Sequence, residues 1–155
     1  MLNEKQAYFL LWVTLMSQGQ RIDNVFGNVQ ELMERLNKLD IVSRKEIEKV
    51  FVQPKALHRF PNKMAGYVYE ALLTIEEEFG GDIKKIFCGN EKRVVNNLLK
   101  FNGIGIHKAN IGGKVYKMYT NKRIEGNCIA ENQLHCVSLE ESIFEEMSIL
   151  RQMEG

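Results

Sequence analysis

Gly103-Ile104-Gly105 stands between the apolar stretch Leu98-Leu99-Lys100-Phe101 and the segment Ile106-His107-Lys108-Ala109, and these residue types could hold an anion. Two glycines one residue apart let a backbone turn tightly at positive φ and remove side chains that would keep a ligand at a distance. The N–H groups that open a following helix lack partners within that helix, and the helix dipole favours a negative group such as phosphate. Asn102 enters the turn, and Lys100, Lys108 and Lys114 surround it as candidate phosphate contacts. A Gly-x-Gly alone is an ordinary turn, so the surrounding charge matters. The whole chain carries only +1, but residues 81–125 hold ten Lys/Arg against three Asp/Glu, for +7, while residues 126–155 carry −5 and residues 1–80 carry −1. The positive charge is concentrated around the glycines, where an electrostatic footprint on phosphates is expected.

These residues need elements to hold them, and the apolar spacing predicts helices almost throughout. A Leu-rich amphipathic segment with Trp12 covers 5–18. Ile22, Val25, Phe26, Val29, Leu32, Met33 and Leu36 recur at three and four over 22–38. Ser43-Arg44-Lys45-Glu46 reads as a capping box opening a short helix to about residue 51. Pro54 breaks the chain, and Pro61 suits the first turn of a long helix that Gly80-Gly81 end. Met64, Tyr67, Val68, Ala71, Leu72, Ile75 and Phe79 form that helix's inner face, and Trp12, Tyr67 and Tyr69 read as core. A short turn at 83–87, helices over 91–101 and 106–119, and a last acidic helix over about 139–153 complete the prediction. The expected architecture is all-α: one helical-bundle domain spanning 1–155, with a helix-hairpin-helix motif at 98–112.

A chain of 155 residues buries roughly 70% of its unfolded surface in one domain, and 45% apolar with 26% charged residues is ordinary globular composition. No run approaches a membrane span, and Met1-Leu2-Asn3-Glu4-Lys5 lacks the basic opening of a signal peptide. A cytoplasmic location is expected, or a nuclear one in a eukaryote. Cys88, Cys128 and Cys136 match neither a zinc pair nor a disulfide framework, so buried free thiols are expected and no metal or other cofactor.

In order and spacing, several segments resemble the helix-hairpin-helix Gly/Pro-Asp superfamily of DNA glycosylases, the group of endonuclease III and the adenine-mismatch glycosylases. Leu10-Leu11-Trp12-Val13-Thr14-Leu15-Met16-Ser17-Gln18-Gly19-Gln20 is similar to that family's first helix and Ser/Gln-rich loop. Asn62-Lys63-Met64-Ala65 and Glu78-Phe79-Gly80-Gly81-Asp82-Ile83 resemble its Lys-x-Ala helix closing on a Gly-rich turn. Asn102-Gly103-Ile104-Gly105-Ile106-His107-Lys108-Ala109-Asn110 resembles its hairpin, and Arg123-Ile124-Glu125-Gly126-Asn127 stands where the family has its catalytic Asp.

The resemblance implies double-stranded DNA as partner and hydrolysis of an N-glycosidic bond, with Glu125 stabilising an oxocarbenium-like sugar or orienting water in place of Asp. Its extra methylene shifts the carboxylate by about a bond length, and misplacement by about 1 Å can slow catalysis around a hundredfold. His107 falls where strand-cleaving members carry an amine nucleophile, so a lyase step is not expected. His107 is a polar or phosphate contact, or a surface histidine beside DNA. Gln18 and Gln20 either wedge into a duplex whose base is flipped out or are ordinary loop residues. Against the family's pattern the four-cysteine iron–sulfur loop is absent, and a second lobe that is shortened or supplied only by 128–155 is expected, with apolar surface that a homodimer would cover. Three readings follow: a monofunctional DNA N-glycosylase of base excision repair, a non-catalytic DNA-binding module, and a protein-interaction protein on a decayed glycosylase scaffold.

Overall fold

The computed structural model describes residues 2–16, 22–40 and 42–125, and every regular element among them is helical. The helices are α1 (Glu4–Met16), α2 (Ile22–Asn37), α3 (Arg44–Val52), α4 (Pro61–Phe79), α5 (Glu91–Leu98) and α6 (Ile106–Glu125), with a 3₁₀ turn at Ile83–Lys85. The expected all-α architecture is therefore the observed one. The expected 139–153 helix lies outside the described residues.

α1 is the centre of the packing. The amphipathic character expected of this segment gives way to burial on every side, with Gln6, Ala7 and all residues from Phe9 to Met16 inside. A helix apolar all round is stable only when neighbours cover it on all sides, and α2, α4, the 3₁₀ turn and α6 all pack on α1. Its start is fastened by a reciprocal cap that the expectations above lacked. The Asn3 Oδ1 accepts from the Gln6 N–H at 2.8 Å, and the Gln6 Oε1 accepts from the Asn3 N–H at 3.0 Å.

The local stop and start signals act as their chemistry dictates. Ser43 Oγ accepts from the Glu46 N–H at the start of α3, and Asn90 Oδ1 accepts from the Arg93 N–H at the start of α5. Pro61 opens α4, and Gly80, at φ +61, ends it with its N–H on the Ile75 carbonyl. The predicted inner face of α4 is the observed one: Met64, Val68, Ala71, Ile75 and Phe79 are buried, with Tyr67 and Leu72 packed partly against the core. On α2, Val25, Val29 and Leu32 are buried and Met33 and Leu36 pack at the margin. Among the described residues no helix is long and apolar enough to cross a membrane.

α5 ends at Leu98, three residues earlier than the periodicity predicts. Beyond it the backbone tightens: the Lys100 and Phe101 N–H groups reach the carbonyls of Asn97 and Leu98, three residues back. Asn97 sits at the inner side of this end and donates from Nδ2 to the Ile86 carbonyl at 3.0 Å and the Lys85 carbonyl at 3.3 Å. A buried amide thus anchors α5 to the 3₁₀ turn. On the other side, the Tyr116 hydroxyl donates to the Gly89 carbonyl and fixes α6 to the start of α5.

Candidate functional site

The two glycines divide the work that was expected of both. The Ile104 N–H reaches the Phe101 carbonyl at 3.2 Å, closing a four-residue turn with Gly103 in third place at φ +89. A type II turn requires that positive φ at this position, and glycine adopts it without steric penalty. A Cβ there would also lie 2.8 Å from the Tyr67 ring, because the turn rests directly on the face of α4. Gly105 does not take a positive φ, which corrects the expectation of two left-handed glycines. A Cβ on Gly105 would meet nothing within 4 Å. Its role in the geometry is openness: its carbonyl accepts from the Ala109 N–H, making it the cap residue of α6, and it is exposed at the helix N-terminus.

α6 can approach α5 and α1 closely because of Gly112 and Gly113, which sequence reasoning passed over. A Cβ at Gly112 would sit 2.7 Å from Leu98 Cδ1 and 3.0 Å from Thr14 Oγ1; one at Gly113 would sit 2.5 Å from Val95 Cγ2. Two adjacent glycines inside a helix disfavour it by about 2 kcal/mol in propensity. That penalty was a legible signal that packing must offset it.

The candidate DNA-contacting side chains have different surroundings. Ile104 is buried, so only its backbone faces the turn's surface, while Asn102, Lys100, His107 and Lys114 are exposed. Asn102 Nδ2 donates to Glu70 Oε2 at 2.6 Å, which brings a carboxylate of α4 beside the turn. The Lys100 ammonium lies 5.1 Å over the Phe79 ring and 4.0 Å from Glu78. That ion pair is solvated on both sides, and exposed pairs of this kind contribute about 0–1 kcal/mol. Lys100 can therefore exchange Glu78 for another anion at small expense. Gln18 and Gln20 lie outside the described residues. Glu125 is the last residue of α6, but its side chain also lies outside them.

Lys108 departs most from its expected place. Its residue is 9% exposed, and its Nζ donates to the Leu15 carbonyl at 2.8 Å and the Gly103 carbonyl at 3.1 Å. The ammonium points into the junction of α1, the turn and α6 instead of toward the surface where a phosphate would lie. The position was readable: with Ala109, Gly112 and Tyr116, Lys108 falls at helical spacing on the buried face of α6. Lys63 of α4 completes this neighbourhood, its Nζ standing 5.9 Å over the Tyr67 ring that supports Gly103.

Burial and, secondarily, the Lys63 charge push the Lys108 pKa below the ordinary lysine value. The unfolded chain then holds this proton to higher pH than the folded one, so charging Lys108 opposes folding below its lowered pKa. The opposition is relieved as pH climbs through that lowered pKa toward the unfolded value near 10.5. Tyr8 acts in the other direction, since burial and then Glu4 and Glu76 raise its pKa, and stability falls as pH passes through its titration. Comparison with Lys108→Met separates the two. As pH rises through that lowered pKa toward the unfolded value, wild type should gain unfolding free energy relative to the variant in urea titrations. A pH-independent difference would mean that Lys108 is not desolvated.

Among the described residues, no three His, Cys, Asp or Glu side chains cluster to hold a metal ion. Cys88 is a free thiol but half-buried where burial was expected, with its Sγ on the Lys85 carbonyl, and Cys128 and Cys136 lie outside the described residues. No protein-family model, no curated protein and no solved structure matches the chain significantly.

Proposed function

We propose that the chain binds the backbone of double-stranded DNA through the 99–106 turn and the N-terminus of α6. A monofunctional N-glycosylase using Glu125 is the enzyme this placement would serve. One observation carries the reading: Gly105, at the cap of α6, is exposed and has open space where a side chain would stand. A phosphate can approach the first amides of the helix there without displacing anything. Lys100, at the turn, and Lys114, further along α6, are exposed cations. Carboxylates nearby favour a second reading. Glu70 on Asn102 and Glu78 by Lys100 make the turn's border partly acidic, which suits a protein partner better than a polyanion.

Gly105→Asp tests the first reading cleanly. Aspartate is a good cap residue and complements the helix dipole, so the variant should fold with at least wild-type stability. Its carboxylate would occupy the proposed phosphate position. Binding to a labelled duplex carrying an abasic-site analogue, measured at two salt concentrations, should be tight and salt-sensitive for wild type and at least about tenfold weaker for the variant. Equal affinities would move the interface off the turn, and no binding by wild type at low salt would favour the protein-interaction reading. Where wild type binds, base release by wild type but not by Glu125→Gln separates the enzyme from the non-catalytic module.

A further inference from the structure

We infer that Lys108 is a positioning residue, whose buried ammonium ties the 99–105 turn to the end of α1 and so sets the amide edge of α6 toward its anion. The inference rests on the DNA-binding reading for the identity of that anion, but the tie itself is geometric. One Nζ reaches two carbonyls from segments 88 residues apart in the chain: Leu15, in the last turn of α1, and Gly103, at the crest of the turn.

The Gly103 carbonyl belongs to the peptide whose N–H side carries Ile104, so pinning that oxygen inward fixes the plane of the peptide that leads to Gly105. Tyr67 supports the same glycine from the α4 side. The turn is therefore held from below by a ring and from within by an ammonium, and its outer edge is left to Gly105 and the opening amides of α6. A backbone held in one geometry before the ligand arrives loses less entropy on binding.

This role differs measurably from a phosphate contact. Every exposed lysine that neutralises a phosphate releases counterions, steepening the dependence of log K on log salt by about 0.9. A buried ammonium that touches no phosphate leaves that slope unaltered. Lys108→Met, which keeps the length of the stem and removes the donors, should bind the duplex about tenfold more weakly than wild type with the same salt slope. Lys114→Gln should instead flatten the slope by about 0.9. Lys108→Arg, which keeps charge and donors, should recover most of the lost affinity.

Amide hydrogen exchange of the full chain provides a readout that needs no DNA. In Lys108→Met, exchange should quicken by at least about tenfold at Ile104 and Ala109, whose N–H groups are bonded to the Phe101 and Gly105 carbonyls, while amides within α3 and α4 keep their wild-type rates. Should Lys108→Met fail to fold, Lys108→Gln, which retains an amide donor, takes its place in both measurements. Wild-type exchange at the turn, an acceleration spread evenly over the whole protein, or a flattened salt slope would each overturn the inference. If wild type does not bind DNA but the local acceleration is seen, the tie stands and only the DNA reading falls.

Discussion

Gly112→Leu is expected to lower the stability of the chain by about 3 kcal/mol, the upper end of what overpacking a close-packed core does. Even the first carbon of the new side chain would stand 2.7 Å from Leu98 Cδ1 and 3.0 Å from Thr14 Oγ1. Neither neighbour has room to retreat: Leu98 is fully buried, and Thr14 Oγ1 is engaged by the Leu10 carbonyl at 2.7 Å. α6 would have to move away from both α5 and α1. Helix propensity works in the opposite direction, since removing a helical glycine favours the helix by about 1 kcal/mol. Gly112→Ala measures that balance, and its loss should be much smaller than that of the leucine variant. For a chain of this length the leucine variant should unfold roughly 6–12 °C below wild type, with the difference confirmed by urea midpoints. A leucine variant within about 0.5 kcal/mol of wild type would mean that α6 does not pack on α1 and α5 at this distance.

Gly103→Val should cost a similar amount, about 3 kcal/mol, for a different reason. A branched side chain at φ +89 is strained by about 1–2 kcal/mol before it touches anything. The remainder comes from the Tyr67 ring, which stands 2.8 Å from the new Cβ and packs partly against the core. The neighbouring Gly105→Ala is the control, because neither backbone strain nor contact opposes it, and it should stay within about 0.5 kcal/mol of wild type. Denaturant unfolding of the two variants side by side checks the division of labour. Equal losses would show that both glycines shape the turn, and equal tolerance that neither does.

These predictions separate what could be read along the chain from what required the fold. Helix positions were legible because they depend on local chemistry. Ser43, Pro61 and Gly80-Gly81 act on backbone groups within a few residues, and the three- and four-residue spacing of Val25, Val29 and Leu32 already defines a buried face. A turn between two helices, after Leu98 and before Ile106, was legible for the same reason. The Gly112-Gly113 pair was written in the sequence too, as a propensity penalty waiting for its compensation, but nothing local says against which helices the glycines must press.

Three further features depend on segments that meet only on folding. α1 is buried on every side because α2, α4, the 3₁₀ turn and α6 all meet it, whereas hydrophobic periodicity expects one solvent face. Gly103 and Gly105 look alike in sequence, yet one is pinned over Tyr67 and the other stands in open space. Lys108 looked like a phosphate ligand by type and neighbourhood, and its ammonium instead serves the carbonyls of Leu15 and Gly103. In each case the deciding partner comes from a distant part of the chain. Caps, turns and helical faces are set by neighbours a few residues away, so the sequence determines them. The direction in which a long charged side chain points is set by which carbonyls the packing brings within its reach.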